Sequence, residues 1–459
     1  MEKYWKLHKL PILIVLISAI CYNLLAFNFQ RDEFIKLISI FLGLSILCYK
    51  LIEFEKLNFR FLLFSGIIFR IIFLLILPNL SQDYFRFIWD GELLSNGLNP
   101  YLKTPNQLIE ESNLIIDNVI KLYNGMGSLS AKHYSNYPPL NQIIFAISVF
   151  IGGKSIAGSV VVMRLFIISA DIGIVLIGRK LLKKINRAPH LIFWYFLNPL
   201  VIVELTGNLH FEGVMLFFFI WSLYLISKNN WKIGGVIYAL SISVKLVPLV
   251  FLPLFLKHLG FKKSIFFYSI IGLTTLTLIA PFYSSEFIHN YSKTIGLWFS
   301  NFEFNSSIYN LVKEIAVSHF DAKPWELIKV YGKITPIIVI TSVLLFTFFK
   351  VDRNITTLIT AMLWVLSIYY FTSATVHPWY IIFLILLTVF TNYRYSIVWS
   401  LAVVLSYWAY SNSDYKEHLG ILLFEYIAVY GFMFYEIFKL RNKKHVFCKK
   451  NTINDVKSN

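Results

Sequence analysis

The stretch LPILIVLISAICYNLLAFN, residues 10–28, carries no charged side chain and follows a short basic N-terminal segment. A helix that crosses the hydrocarbon core of a bilayer needs about 20 consecutive apolar residues, which this stretch supplies. Similar blocks recur along the whole chain. They occupy residues 10–28, 34–52, 61–78, 156–178, 190–206, 211–228, 233–257, 263–283, 332–350, 354–372, 376–391, 395–411 and 417–438.

The composition points to the same class of protein. The chain has 459 residues, of which 57% are hydrophobic and 15% are charged, and its mean hydropathy is +0.65. An ordinary soluble domain carries about 25% charged residues, so this chain has too little polar surface to cover a water-facing globule of its size. We therefore predict an all-α polytopic membrane protein with about 13–14 transmembrane helices.

The basic residues indicate which side of the membrane each connection occupies. The net charge is +17, and lysines and arginines cluster in the connector 179–187 and in the tail 439–459. Short basic connectors beside spans face the cytoplasm, so both termini are predicted to lie inside. Because no aromatic-rich soluble module accompanies these clusters, we do not expect nucleic-acid binding. Cys21, Cys48 and Cys448 show neither a disulfide pattern nor a metal-binding pattern.

Two segments need a special placement. The block 233–257 is too long for one simple span and has Lys245 and Pro248 at its centre, so we expect two short helices that meet at the outer face. The segment 139–152 is apolar but short for a span, and we expect an interfacial or re-entrant helix on the outer side. This topology makes 1–438 a single transmembrane domain with two outward loops, at about 79–138 and about 284–331, followed by a basic cytoplasmic tail at 439–459.

The first outward loop opens with SQDYFRFIWDGELLSNGLNPY, residues 81–101. Asp83, Arg86 and Asp90 are three and four residues apart, which would place all three on one face of a helix. Because Asp83 follows a span directly, it should lie at the membrane surface, within reach of both a lipid headgroup and a water-borne molecule. The alternative is a surface helix lined with solvated charges.

This segment resembles the first outer loop of bacterial membrane glycosyltransferases of the GT-C superfamily, most closely the polyprenyl-phosphate-mannose-dependent mannosyltransferases. The likeness continues in the family's order through Tyr137-Pro138-Pro139-Leu140 and Asn198-Pro199-Leu200. Further matching segments are Glu204, His210-Phe211-Glu212, Val244-Lys245-Leu246-Val247-Pro248, Phe304-Asn305-Ser306-Ser307 and Pro378-Trp379-Tyr380. The chain departs from the family pattern at Glu212, where an aspartate is usual, and in having two spans before the span that leads to the catalytic loop.

The resemblance implies a reaction in which an acceptor hydroxyl displaces a polyprenyl phosphate from the anomeric carbon of a sugar, with inversion. It implies that Asp83 is the general base and that cations stabilise the departing phosphate. Lys245, inside an apolar block, and Arg86 are the candidates for that second role. The other expected substrate-binding residues are Asp90, Tyr137, His210, Glu212, His377, Trp379 and Tyr380. No cofactor is expected besides the lipid-linked donor, and no metal site, because no three or four ligands have metal spacing.

Structural alternatives stay open for these residues. Lys245 could snorkel to the headgroups, and Arg86 could form a salt bridge with Asp83 or Asp90. His210 and Glu212 could be interfacial polar residues, and the segment 377–380 could serve only as an interfacial anchor. Inside the spans, Asp171 is expected to pair with Arg164, about two turns earlier, and Glu204 is expected to be structural too.

The sequence predicts an integral protein of the bacterial plasma membrane with an outward-facing site. Its expected partners are a lipid-linked sugar donor, membrane lipids and a glycan, lipid or protein acceptor. Mannose as the sugar follows from the resemblance alone. The rival function is a transporter or flippase of a lipid-linked or small polar solute, although such a protein should show interrupted helices in two corresponding halves.

Overall fold

The computed structural model describes residues 2–111, 114–300, 302–412 and 414–456, with side chains described outside 2–7, 298–300 and 443–456. Over these residues the chain is helical, and its only β contact is an isolated bridge between Phe304 and Thr375. The α-helices are α1 (Glu2–Phe27), α2 (Phe34–Glu55), α3 (Phe59–Ile71), α4 (Asp83–Ser95), α5 (Pro105–Leu108), α6 (Val119–Lys132), α7 (Pro139–Gly152), α8 (Ile156–Lys184), α9 (Phe193–Phe196), α10 (Pro199–Val201), α11 (Glu212–Ser227), α12 (Trp231–Val244), α13 (Phe255–Leu259), α14 (Phe261–Ile279), α15 (Ser285–Ser300), α16 (Ile308–Phe320), α17 (Pro324–Phe349), α18 (Ile355–Thr372), α19 (Ile381–Val389), α20 (Tyr395–Ala402) and α21 (Leu419–Val456). Shorter helical turns of other types cover Pro189–Ile192, Ile202–Gly207, Val247–Leu254, Ala280–Phe282, Pro378–Tyr380 and Val403–Ser411.

The predicted all-α polytopic class is confirmed. Seven helices in the described part of the chain are long and apolar enough to cross a membrane. A bent pair, Pro189–Phe196 with Pro199–Gly207, makes an eighth if its 55° break lies within one span. Five further apolar helices are shorter, among them α7, α11 and α12. The total of about 13–14 passes depends on these shorter helices and stays a prediction, as does the placement of α7 at the outer surface.

The block 233–257 is broken where the sequence predicted. Helix α12 ends at Val244, Lys245 is extended, and a new helical turn begins at Val247. The side-chain amide of Asn141 on α7 donates to the carbonyl of Val244, at 2.8 Å. This bond occupies one of the carbonyls that a helix end leaves without an intrahelical partner, so the break is held by a neighbouring helix.

The block predicted at 61–78 is not one helix, because α3 ends at Ile71 and the chain then turns. Arg164 on α8 explains how the unwound end tolerates burial. Its guanidinium donates to the carbonyls of Leu74 and Ile76, at 2.9 and 2.7 Å. Buried carbonyls without partners are costly, and this arginine satisfies two of them.

The expected pair of Asp171 with Arg164 is wrong. Asp171 instead accepts from the Nε of Arg70 on α3, at 2.8 Å, and both side chains are fully buried. The hydroxyl of Tyr195 donates to the other carboxylate oxygen, at 2.9 Å. Two helical turns separate residues 164 and 171 by about 10 Å along the axis. A partner on an adjacent helix therefore lies closer than a partner on the same one.

The two polar loops contain helices of their own. The first holds α4, α5 and α6 and leads into α7, which packs against α4 and α8. The second holds α15 and α16 and the first turns of α17, a helix that starts at Pro324 rather than at the predicted residue 332. Beyond residue 439 the backbone of α21 continues to Val456, and the cytoplasmic placement of this tail stays a prediction.

Candidate active site

Helix α4 begins at Asp83, and the side chain of Ser81 accepts the backbone N–H of Asp83 at 3.2 Å. The carboxylate therefore lies in the first helical turn, where the helix dipole favours a negative charge. Asp83 is half-buried. Among the hydrogen bonds and ion pairs found within the described ranges, none ends on its carboxylate. Asp83 is thus an acid whose oxygens remain open to a ligand.

Arg86 and Asp90 form the predicted same-face contact one helical turn further on. The Nε of Arg86 donates to Asp90 at 2.7 Å, and Asp90 has no exposed surface. The second carboxylate oxygen of Asp90 accepts from Ser135 at 2.6 Å and from Gln142 at 3.1 Å. Each oxygen of Asp90 is occupied, so this acid is suited to hold Arg86 in place and poorly suited to take a proton from a substrate.

A cavity of about 520 Å³ lies in front of Asp83. Its walls come from the connection between α1 and α2, the two polar loops, and segments near residues 210, 245, 370, 377 and 410. Of the predicted site residues, all except Asp90 and Glu212 line it. Those lining it are Asp83, Arg86, Tyr137, His210, Lys245, His377, Trp379 and Tyr380. Residues that are up to about 300 positions apart in sequence therefore share one chamber of ligand size.

Lys245 reaches the cavity from the break after α12. Its ammonium group forms an ion pair with Glu212, the first residue of α11, and Glu212 is buried. Lys245 keeps about a quarter of its side-chain surface exposed. Glu212, predicted to touch the substrate, instead lies behind the lysine and compensates its charge.

A stack of four rings forms another wall of the cavity. The ring of Trp379 lies between His210, at 3.9 Å between centroids, and His377, at 4.4 Å. Phe304 covers the far face of His377 at 5.0 Å. Because both faces of Trp379 are covered, only its edge is available to a substrate. The backbone of Phe304 is fixed in turn by hydrogen bonds to Ala374 and Val376, at 3.0 and 2.8 Å.

Glu204 lies behind this stack and is fully buried. It accepts a hydrogen bond from the Tyr407 hydroxyl, and Asn208 donates to it at 3.1 Å. The Nε2 of His210 is 3.4 Å from the same carboxylate. Glu204 is therefore held by Tyr407 and Asn208, in line with the structural role predicted for it, and its carboxylate lies beside His210 without a hydrogen bond to the Nε2 of that ring.

Tyr137 closes the cavity from the end of the first loop. Its carbonyl accepts from the Tyr101 hydroxyl at 2.6 Å, and its ring contacts the edge of Phe87. Burial raises the pKa of the Tyr137 hydroxyl well above its usual range, and the carboxylate of Asp83 raises it further. Tyr137 is therefore a neutral hydrogen-bonding group at physiological pH.

Sequence reasoning missed many residues of this cavity, among them Arg31, Tyr407 and Tyr410. Arg31 lies in the turn between α1 and α2, and its guanidinium carbon is 3.6 Å from the ring centroid of Tyr410. A charged residue in a short turn between two predicted spans was a usable signal for Arg31. The two tyrosines had no local signal, because aromatic residues are abundant throughout this chain and only packing brings these two to the site.

Among the described residues, no three or more histidine, cysteine, aspartate or glutamate side chains are grouped so that they could hold a metal ion. The cavity instead combines one open carboxylate, three cations and hydroxyl-bearing aromatics. Such a set can bind an anion beside a polar molecule and can accept a proton.

Comparison with known proteins matches this chain to a family model and to curated relatives. A family model described as "Alpha-(1->6)-mannopyranosyltransferase, N-terminal domain" matches residues 25–259. Alpha-(1->6)-mannopyranosyltransferase A of Mycobacterium tuberculosis is 24% identical over 218 residues, which cover 46% of this chain and 40% of that protein. GPI mannosyltransferase 1 of Kluyveromyces lactis is 34% identical over 130 residues, 26% of this chain and 32% of that protein. The chain thus spans less than half the length of these curated relatives.

Proposed function

Because the chain belongs to the family described as alpha-(1->6)-mannopyranosyltransferase, N-terminal domain, we propose that it is a membrane mannosyltransferase. In this proposal it takes mannose from a polyprenyl phosphate and transfers it to a hydroxyl of a glycan, lipid or protein acceptor. The reaction takes place at the outer face of a bacterial plasma membrane, and it needs no cofactor besides the lipid-linked donor. The names of both relatives, each a mannosyltransferase, support the choice of sugar.

One observation carries the proposal: Asp83, whose carboxylate has no hydrogen bond or ion pair within the described residues, lines the same cavity as three cations. Asp83 is the general base. Its free oxygen takes the proton from the acceptor hydroxyl as that oxygen bonds to the anomeric carbon. The bond between the anomeric carbon and the phosphate oxygen breaks on the opposite face, so the configuration inverts and the prenyl phosphate leaves with the electron pair. The cavity cations stabilise the charge that develops on the phosphate.

Replacing Asp83 by asparagine tests this function directly. The change keeps the shape of the side chain and removes the base, and loss of general base catalysis typically costs about 10²–10⁴-fold in rate. We expect a fall of that size in kcat when membranes with the variant receive polyprenyl-phosphate [¹⁴C]mannose and an acceptor extract. Binding of the donor should change little, because Asp83 carries no positive charge toward the phosphate.

Asp117→Asn is the matched control. Asp117 belongs to the same outer loop but lies outside the cavity and pairs with the exposed Lys154 at 3.0 Å. Exposed pairs of this kind contribute little, so this variant should keep full activity. Unchanged transfer by Asp83→Asn, or an equal loss in both variants, contradicts the role of Asp83. Absence of transfer by the unmodified protein with this donor contradicts the proposed substrate.

A further inference from the structure

Three lysine or arginine side chains line the cavity, namely Arg31, Arg86 and Lys245. Two of them already have a carboxylate partner. Arg86 bonds to Asp90 and also donates to the carbonyls of Ser130 and His133, at 2.8 and 2.9 Å. Lys245 is paired with Glu212. The positive charge of both side chains is therefore compensated within the protein.

Arg31 differs from both. Its guanidinium carbon is 3.6 Å from the ring centroid of Tyr410, and its buried Nε has no hydrogen-bond partner among the described residues. It takes part in none of the ion pairs found over residues 2–111, 114–300, 302–412 and 414–456. The other acid on the cavity wall, Glu303, is engaged with Lys313 at 3.1 Å. Arg31 is thus the cavity cation whose charge the described residues do not neutralise.

The surroundings of Arg31 suit a bound phosphate. Partial burial of a guanidinium without an anion costs free energy, and an anion that binds to it offsets this cost. The planar guanidinium matches two phosphate oxygens at once, and contact with an aromatic ring helps to hold it in one orientation. Phe304 contacts Tyr410 at 5.9 Å and also covers His377. The platform under Arg31 is therefore continuous with the ring stack of the cavity.

We propose that Arg31, held on Tyr410, is the principal cation that binds the phosphate group of the lipid-linked substrate. This inference rests on the proposed function and assigns the phosphate contact to the turn between α1 and α2. Lys245, which the sequence suggested for this role together with Arg86, becomes a secondary contact whose charge is compensated by Glu212. Arg86 keeps one buried nitrogen without a partner and can add a hydrogen bond to the same group.

The test measures binding of farnesyl phosphate and of farnesol to the purified full-length protein in zwitterionic nanodiscs. Arg31→Gln removes the charge, Arg31→Lys keeps it without the planar fork, and Arg60→Gln is the matched control on an exposed arginine outside the cavity. Because Arg31→Gln removes a charge-assisted hydrogen bond to the phosphate, it should weaken farnesyl phosphate binding by about tenfold or more. Farnesol binding should stay the same, Arg31→Lys should be intermediate, and Arg60→Gln should match the unmodified protein.

Several results would overturn the assignment. One is unchanged affinity of Arg31→Gln for farnesyl phosphate, and another is an equal loss for farnesol, which would indicate a disturbed fold. A third would come from nanodiscs that contain phosphatidylglycerol. If Arg31→Gln abolishes only the stabilisation of the protein by that lipid and leaves farnesyl phosphate binding unchanged, the arginine binds a bilayer headgroup instead. The proposed function fails separately, when the unmodified protein transfers no mannose, whereas this inference fails when transfer occurs and Arg31 does not affect phosphate affinity.

Discussion

At the scale of single residues, the role of a charged side chain depends on whether it already has a hydrogen-bond or ion-pair partner within the protein. Asp83 and Asp90 lie on one helix, two turns apart, and are the same residue type. Asp90 accepts hydrogen bonds from Arg86, Ser135 and Gln142, whereas Asp83 faces the cavity. A carboxylate with occupied lone pairs positions other groups, and one with free lone pairs can act on a ligand. The two cations differ in the same way, because Lys245 has a carboxylate partner in Glu212 and Arg31 has none among the described residues.

His133 supplies a pH-dependent prediction at this scale. Burial, Lys132 and Arg86 lower the pKa of its imidazole below the ordinary 6.5. The folded protein then binds this proton less readily than the unfolded chain does, so stability is complete above the ordinary pKa and is lost as the pH falls below it. We expect the melting temperature in detergent to drop between about pH 7.5 and about pH 5.5, and to drop less in His133→Gln. Equal drops in both proteins would show that His133 does not contribute.

At the scale of elements, the site depends on how closely α4 approaches α7. Gly91 on α4 lies against the backbone of Phe145 on α7, and a β-carbon there would be 2.7 Å from the carbonyl carbon and oxygen of Phe145. The side chain of Val149 would be 2.9 Å away. Because α4 carries Asp83 and Arg86, the absence of a side chain at Gly91 sets the position of both relative to the cavity.

We therefore expect Gly91→Ala to destabilise the protein, since overpacking of this kind costs about 1–3 kcal/mol. Mannosyl transfer should fall with it, because α4 must move away from α7. The control is Gly43→Ala on α2, where a β-carbon would meet nothing within 4 Å. Both changes carry the same intrinsic helix preference, so the difference between their melting temperatures measures the close approach. Equal melting temperatures would refute this account.

At the scale of the whole molecule, buried polar contacts join segments that are far apart in sequence. Arg70 and Asp171 connect α3 to α8, and Arg164 connects α8 to the turn after α3 and to the carbonyls of Thr206 and Gly207. These contacts surround the segments that lead to Asp83 and His210. Removing one partner of a buried ion pair strongly destabilises the fold, because the other charge remains without compensation.

Arg70→Met should accordingly lower the free energy of unfolding by about 3–5 kcal/mol, measured by equilibrium unfolding in mixed micelles. The double variant Arg70→Met/Asp171→Asn should recover part of that loss, because it removes the uncompensated charge and leaves a group that Tyr195 can still hydrogen-bond. Lys154→Met, which breaks an exposed pair, should behave like the unmodified protein. A double variant no more stable than Arg70→Met would mean that the two residues are not coupled.

Much of the architecture could be predicted from local patterns. The long spans, the break at Lys245 and the shared face of Arg86 and Asp90 each follow from a few consecutive residues. Two predictions that were wrong, the length of the helix at 61–78 and the partner of Asp171, have a common cause. The end of α3 at Ile71 and the pairing of Asp171 with Arg70 depend on groups from other helices, and an apolar segment gives no sign of which helix it will contact.

The sequence by itself determined the membrane class of this protein, because lipid solvates each apolar segment independently of the others. It also singled out eight of the residues that meet in its cavity. The chemistry-bearing residues interrupt that apolar background and are therefore visible one by one. Only the tertiary structure decided which of these groups are paired and which are open to a ligand. It places Tyr410 beneath Arg31, some 380 positions away in the chain, and Glu212 against Lys245. Ion pairing acts over a few ångströms, and such distances between remote residues are set by helix packing.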